Sequence, residues 1–495
     1  MTDMKKSTSS QGIEPLHEVK GLDRGHLSRP KLVALALTAM TPGMGMVLVP
    51  VLVFTYSGMA SWTSLLIAMV AAMCIGAAVT TFARRYVVTG SLYSYVSHAL
   101  GGWARCITGA SLFLGFILML ASIVAACGLF IGSFLTSIGI ANANEVGIQA
   151  VIYLIVLAIS AAIVIRGLDA SVRTSVILSA IAIPPIVIIT IASAIHTGLH
   201  LSSQFDLGKL TFNQTFQGVV GALAFMIGFE SCAALATETR DPKRTLPWAL
   251  IGVPAVLAVL WIVPTIAQVP GLAEASDQIA AGASPSAVLS IQAGLGETFA
   301  KATDLIFAIE AFVALVGFLN YGSRVFATLG IDRLLPPRLA AVHPRLRTPV
   351  VAIVVSSVLG LLAMISMVFA VGDITKGFTA IATLLAYAWA PSYLLIAVGA
   401  IVVTLRERGV RLGVIVASIF VIVTMVGIYV NGFVNPPSAP YDAMVWIAFV
   451  ALAVIVFAFL ILQRVGARQE SRARESDRTP DMMADRPVSA QSVPD

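Results

Sequence analysis

Two glutamates stand inside stretches apolar enough for lipid: Glu230 in FMIGFESCAALATE and Glu310 in LIFAIEAFVALVG. An ionisable group at membrane depth is costly and marks a functional position. Glu230 has two competing chemistries. It can accept hydrogen bonds from broken backbone beside it, or gain and lose a proton as a site alternates. Glu310, about two turns in from the outer end of its segment, can be a rim carboxylate facing a wet vestibule, a proton acceptor, or a counter-ion for a substrate amine. Both are coupling candidates. The sequence has no HExxH, GxSxG or P-loop pattern and no cluster at metal-ligand spacing, so no catalytic residue, metal or cofactor is assigned.

The second kind of chemistry lies in the backbone. TAMTPGMGMVLVP places Pro42, Gly43 and Gly45 at about mid-depth of the first apolar segment. Alone, this fits a simple kink. A second interruption, around Met226-Ile227-Gly228-Phe229, lies at comparable depth five segments later. Paired interruptions at matching positions of two halves are the sequence pointer to an inverted-repeat transporter. A helix restarting at Gly45 offers free N–H groups to a carboxylate. A half-helix ending near Met226–Ile227 offers carbonyls to an ammonium group. The candidate substrate-binding residues are Thr41, Gly43, Met44, Gly45, Met46, Phe225, Met226, Ile227 and Gly228, with Gly115, Phe116 and Phe318 from the third and eighth segments. Their apolar character favours a neutral substrate, and soft methionines suit a permissive pocket.

The elements holding these residues must be membrane helices. Apolar residues make up 58% of the 495 and charged residues 11%, whereas soluble domains run nearer a quarter charged. Twelve segments are long enough to span the hydrocarbon: 32–56, 62–83, 103–136, 147–165, 173–196, 215–236, 248–267, 303–326, 349–370, 377–404, 411–433 and 442–463. With the N-terminus inside, only Lys209, Lys301 and Lys376 of the 31 basic residues fall in outer loops. The positive-inside rule therefore places both termini in the cytoplasm. The net charge of +6 is an orientation signal, not a nucleic-acid footprint. Four cysteines lie in apolar segments without CxxC spacing and read as core residues. Residues 1–29 and 466–495 read as disordered cytoplasmic tails. In ETRDPKR, a solvated helix end or an inner gate, Glu238 and Asp241 have Arg84, Arg85 and Arg324 as possible partners.

The sequence resembles the amino acid–polyamine–organocation superfamily of permeases along the whole membrane region. Gly43–Val47 followed by Pro50 is similar to the first-helix Gly-Ser-Gly signature. TGSLYSYVSHALG (Thr89–Gly101) is similar to the stretch entering the third helix. Gly228–Glu230 followed by ETRDPKRTLP resembles the end of the sixth, and SRVFATLGIDRLLPPRLAAVHPRLRTP (Ser323–Pro349) the loop after the eighth. The resemblance implies an all-α integral membrane fold of twelve transmembrane helices. Its LeuT-like five-plus-five inverted repeat would cover 30–200 and 201–406, with two C-terminal helices at 407–465. Three positions depart from the family. Met44 replaces a serine, Ala224 stands where some relatives have an aromatic gate, and Ala182 stands where many sodium-independent relatives carry a lysine. The middle of the eighth helix also lacks Ser and Thr for a sodium site.

The function expected is alternating-access transport of a neutral or apolar amino acid across the cytoplasmic membrane, by proton-coupled symport or by exchange. The expected partners are the amino acid or a related amine, lipid and protons, with a monomeric or homodimeric assembly. An amine or polyamine carrier and a transport-inactive sensor are the alternatives.

Overall fold

The computed structural model describes residues 25–167, 169–206, 208, 210–407 and 411–478. Residues 1–24 and 479–495 of the expected tails, and Lys209, lie outside the described residues. The chain forms α1 (Arg29–Ala39), α2 (Pro42–Ser57), α3 (Ser61–Ala83), α4 (Leu92–Leu100), α5 (Gly102–Ser137), α6 (Val146–Arg166), α7 (Asp169–Thr197), α8 (Leu201–Gln204) and α9 (Phe212–Met226). A 3-10 helix at Phe229–Glu238 comes next. Then come α10 (Pro242–Glu274), α11 (Ser276–Ala280), α12 (Pro285–Gln292), α13 (Glu297–Ile331), α14 (Val350–Val371), α15 (Ile374–Arg406), α16 (Leu412–Val434) and α17 (Met444–Arg478). Among the described residues there is no named strand; one isolated bridge pairs Leu27 with Thr239.

Eleven stretches of the described residues are long and apolar enough to cross a membrane. The sequence predicts twelve segments; the first stretch, Arg29–Ala83, holds the predicted segments 32–56 and 62–83, with the Gly58–Ala60 turn between them. Burial separates interior helices from a lipid-facing shell. In the stretch Phe212–Glu238, 94% of the most apolar window is buried inside the protein, against 22% for Met444–Val465. The interrupted helices are therefore central. This placement is dictated by the bilayer, which offers no hydrogen bonds to opened backbone, so breaks survive only where protein answers them. α5 packs along α13 and α15, and α2 packs between α9 and α10. Cys106, Cys127 and Cys232 are buried and Cys74 is half-buried, all as free thiols.

One end of the bundle is closed by charge. Arg324 of α13 and Glu238 form a two-pronged pair at 2.5 and 2.9 Å, and each residue is no more than 3% exposed. Arg324 also donates to the Asn320 carbonyl at 2.8 Å. The chain before α1 runs across this end. Leu27 N–H donates to Glu238 O at 2.9 Å, and Arg240 N–H donates to Leu27 O at 2.8 Å. Leu27, assigned from sequence to the disordered tail, is thus fully buried. At the other terminus the helical backbone of α17 continues past residue 466 to Arg478. Of the three arginines considered for Glu238 and Asp241, only Arg324 takes that role. Arg85 pairs with Glu407, and Asp241 with its neighbour Arg244 at 3.7 Å.

Removing one partner of a buried pair strands the other charge, at a cost of about 3–5 kcal/mol. Glu238→Gln and Arg324→Gln should each lower the thermal midpoint of the purified protein strongly. The double Gln variant should lose less than the two single losses added together. Strict additivity would show that the two residues do not act as a pair.

Candidate substrate-binding site

The first break arises from a proline placed where a helix can begin. α1 ends at Ala39, Thr41 takes a left-handed φ of 45°, and α2 restarts at Pro42. That is three residues before the restart expected at Gly45. Proline suits the first helical turn because its fixed φ is already helical and its missing N–H needs no partner there. The left-handed threonine stores strain of about 1–3 kcal/mol. Gly45 N–H already bonds Thr41 O at 2.8 Å. The N–H groups left over belong to Gly43 and Met44, and both donate to Glu310, at 3.0 Å to Oε1 and 2.5 Å to Oε2.

Glu310 is therefore no rim carboxylate: it is fully buried and seated on the N-terminus of α2. The positive end of the helix dipole favours a carboxylate at this position. Gly43 makes the approach possible, since a side-chain Cβ there would lie 2.8 Å from Glu310 Oε2 and 2.9 Å from Ala182 Cβ. Ala182, noted from sequence as the replacement for a family lysine, thus packs against the same junction.

The second break ends α9 at Met226, leaves Ile227 extended, and turns at Gly228 with φ 90°. That φ is open to glycine and strained for other residues. The segment beyond the turn is a 3-10 helix, not the α-helical half expected. Gly228 N–H donates to Tyr393 Oη at 3.0 Å, so the Ala224 carbonyl lacks the donor a continuing helix would supply. Glu230 holds this break from the other side. Its two oxygens accept from Trp389 Nε1 at 3.1 Å and Tyr393 Oη at 2.7 Å. Both donors come from one face of α15, four residues apart, and tie the 3-10 segment to that helix.

Between the two breaks lies a cavity of about 30 Å³, room for about two waters. Of the residues expected at the site, Thr41, Met44, Phe225, Ile227 and Phe318 line it. Ala39, Met40, Ala224 and Ala314 line it too, with Met119, Ser122, Ile123 and Ala126 of α5 and Phe378 of α15. No lining side chain is charged. Gly115 and Phe116 lie on α5 but away from the cavity; Gly115 packs under Trp389, and Phe116 meets that ring edge-on at 4.9 Å. Gly43 faces Glu310, Gly45 lies under Trp261, Met46 and Met226 are buried off the cavity, and Gly228 packs against Phe318.

Three aromatic residues with structural roles here were missed from sequence. Trp261 of α10 donates from its indole to Pro42 O at 3.0 Å, and Phe225 packs edge-on against it at 6.1 Å. With Trp389 and Tyr393 it brackets both breaks. A signal existed: a Trp or Tyr deep in an apolar helix usually finds an acceptor for its N–H or O–H, and opened backbone provides one.

Apolar membrane helices, two of them broken around a cavity, define the class: a multi-pass membrane transporter. The chain belongs to the amino acid permease family, whose profile matches residues 27–463. It is similar to the cationic amino acid transporter 7, chloroplastic, of Arabidopsis thaliana, at 26% identity over 67% of this chain and 58% of that protein. It is also similar to the branched-chain amino acid permease of Lactococcus lactis subsp. cremoris, at 28% identity over 52% of this chain and 57% of that protein. The corresponding permease of Bacillus subtilis is 24% identical over 58% and 63%. The chain thus spans less than two thirds of the length of these relatives.

Gly228→Ala should destabilise the fold far more than Gly413→Ala, because a Cβ at 228 meets Phe318 at 2.6 Å and the φ is positive, while nothing lies within 4 Å of one at 413. Tyr393→Phe removes a donor from buried Glu230 and should cost about 1–3 kcal/mol. Thermal midpoints of the three variants check the ranking; equal values for the two glycine variants would contradict it.

Proposed function

We propose that this protein is a secondary transporter for a small neutral amino acid, working by alternating access across the cytoplasmic membrane with both termini inside. Its twelve passes form the five-plus-five inverted repeat plus two helices, and Glu310 carries the coupling proton. The observation that carries this reading is the cavity set between the two breaks. Ala224 lines one side, and its carbonyl, which lacks its helical donor, suits an ammonium group. At the other lies the N-terminus of α2, whose two free N–H groups are taken by the protein's own carboxylate.

A substrate carboxylate competing for those N–H groups meets a like charge while Glu310 is ionised. Once Glu310 is protonated the repulsion ends, and the dipole end is free to accept the substrate. Amino acid and proton then enter together. Glu230 is less suited to this part, because both its oxygens are already engaged by α15. The uncharged lining supports a neutral substrate over a cationic one, which would need an acidic side chain in the cavity.

Sealed vesicles holding the purified protein test this with an amino acid and amine panel. A proton gradient is imposed at equal sodium, and a sodium gradient at equal pH. Small neutral amino acids should accumulate under the inward proton gradient. Glu310→Gln should keep exchange while losing pH-driven accumulation. Accumulation under the sodium gradient alone, or no uptake across the panel, would overturn the proposal.

A further inference from the structure

Asp304 lies about 30 Å along α13 from Arg324, at 1.5 Å per residue, on the opposite end of the bundle. It is 1% exposed and sits under the α11–α12 connection. Its Oδ1 accepts from Ser284 Oγ and from Ser286 Oγ at 3.1 Å. Ser133 Oγ of α5 accepts Ser284 N–H at 3.3 Å, which brings α5 to the same connection. Ser284 and Ser286 are fully buried. The second oxygen, Oδ2, is buried without any hydrogen-bond partner.

A buried carboxylate needs donors on both oxygens, as Glu230 and Glu310 have, or an opposite charge, and no cationic side chain among the described residues pairs with Asp304. α12 contains no basic residue, and the only one on α5 is Arg105 at its far end. On α13, Lys301 pairs with Glu297 at 3.5 Å. No hydrogen-bond donor among the described residues reaches Oδ2. A bound cation answers Oδ2 directly and also uses the remaining lone pairs of the serine hydroxyls.

We propose that Asp304, Ser133, Ser284 and Ser286 form a binding site for one sodium ion, joining the α12 connection to α5 and α13. The donors are all oxygen, which selects a hard cation over zinc or copper. One carboxylate charge is balanced by a monovalent ion. The hydroxyls missing from the middle of α13 are supplied here by two other elements. Sodium binding holds the α12 connection closed over this end of the bundle, whatever substrate the central cavity takes.

The test needs no substrate. The thermal midpoint of the purified full chain is measured in sodium chloride and in choline chloride, at equal ionic strength and fixed pH. The wild type should be stabilised saturably by sodium and not by choline. Asp304→Asn should abolish the response. Ser286→Ala, a milder change, should shift the half-saturating sodium concentration upward by about tenfold. Equal midpoints in the two salts would overturn the proposal. So would a sodium response that persists in Asp304→Asn, or stabilisation that tracks pH and ignores sodium.

Discussion

The carboxylate of Glu310 on the N–H groups of Gly43 and Met44 is the contact on which the central architecture depends. In hydrocarbon, a helix that stops and restarts leaves donors with nothing to bind, each costing several kcal/mol. Here an acid from a different helix answers them, and the helix dipole stabilises that acid in return. One bond pair thus holds the first break that Pro42 begins, ties α13 to α2 and requires a glycine at 43.

The second break is solved by other means. Gly228 turns the chain, Tyr393 takes the freed N–H, and Glu230 anchors the adjoining 3-10 segment to Trp389 and Tyr393. The two buried glutamates therefore divide the work. Glu230 is held by side chains of one neighbouring helix and fixes a turn. Glu310 bonds only backbone that belongs to the other half of the broken first helix, so any change in its charge acts on that half. The cavity lies between these two supports.

Much of this was legible in the residues. Composition and apolar run lengths define the membrane class, and Pro and Gly mark both interruptions because few other residues tolerate them at depth. The register of the first restart was not legible, since Pro42 and Gly45 each suit a helix start and only the N–H directed at Glu310 decides between them. On α5 the cavity is lined by Met119, Ser122, Ile123 and Ala126, one to three turns beyond Gly115 and Phe116, which pack on Trp389. Which stretch of a long apolar helix meets a cavity depends on how far that helix slides past its neighbours. Pairings such as Glu238 with Arg324 were named among alternatives, because charge shows who can pair and tertiary packing shows who does.

The most direct measurement is the infrared difference spectrum of the purified protein on adding a transported amino acid. If substrate displaces Glu310 from the N-terminus of α2 by way of its protonation, a new protonated-carboxyl band appears on binding and is missing in Glu310→Gln. Substrate binding with no such band, or the same band in the Gln variant, would contradict the account.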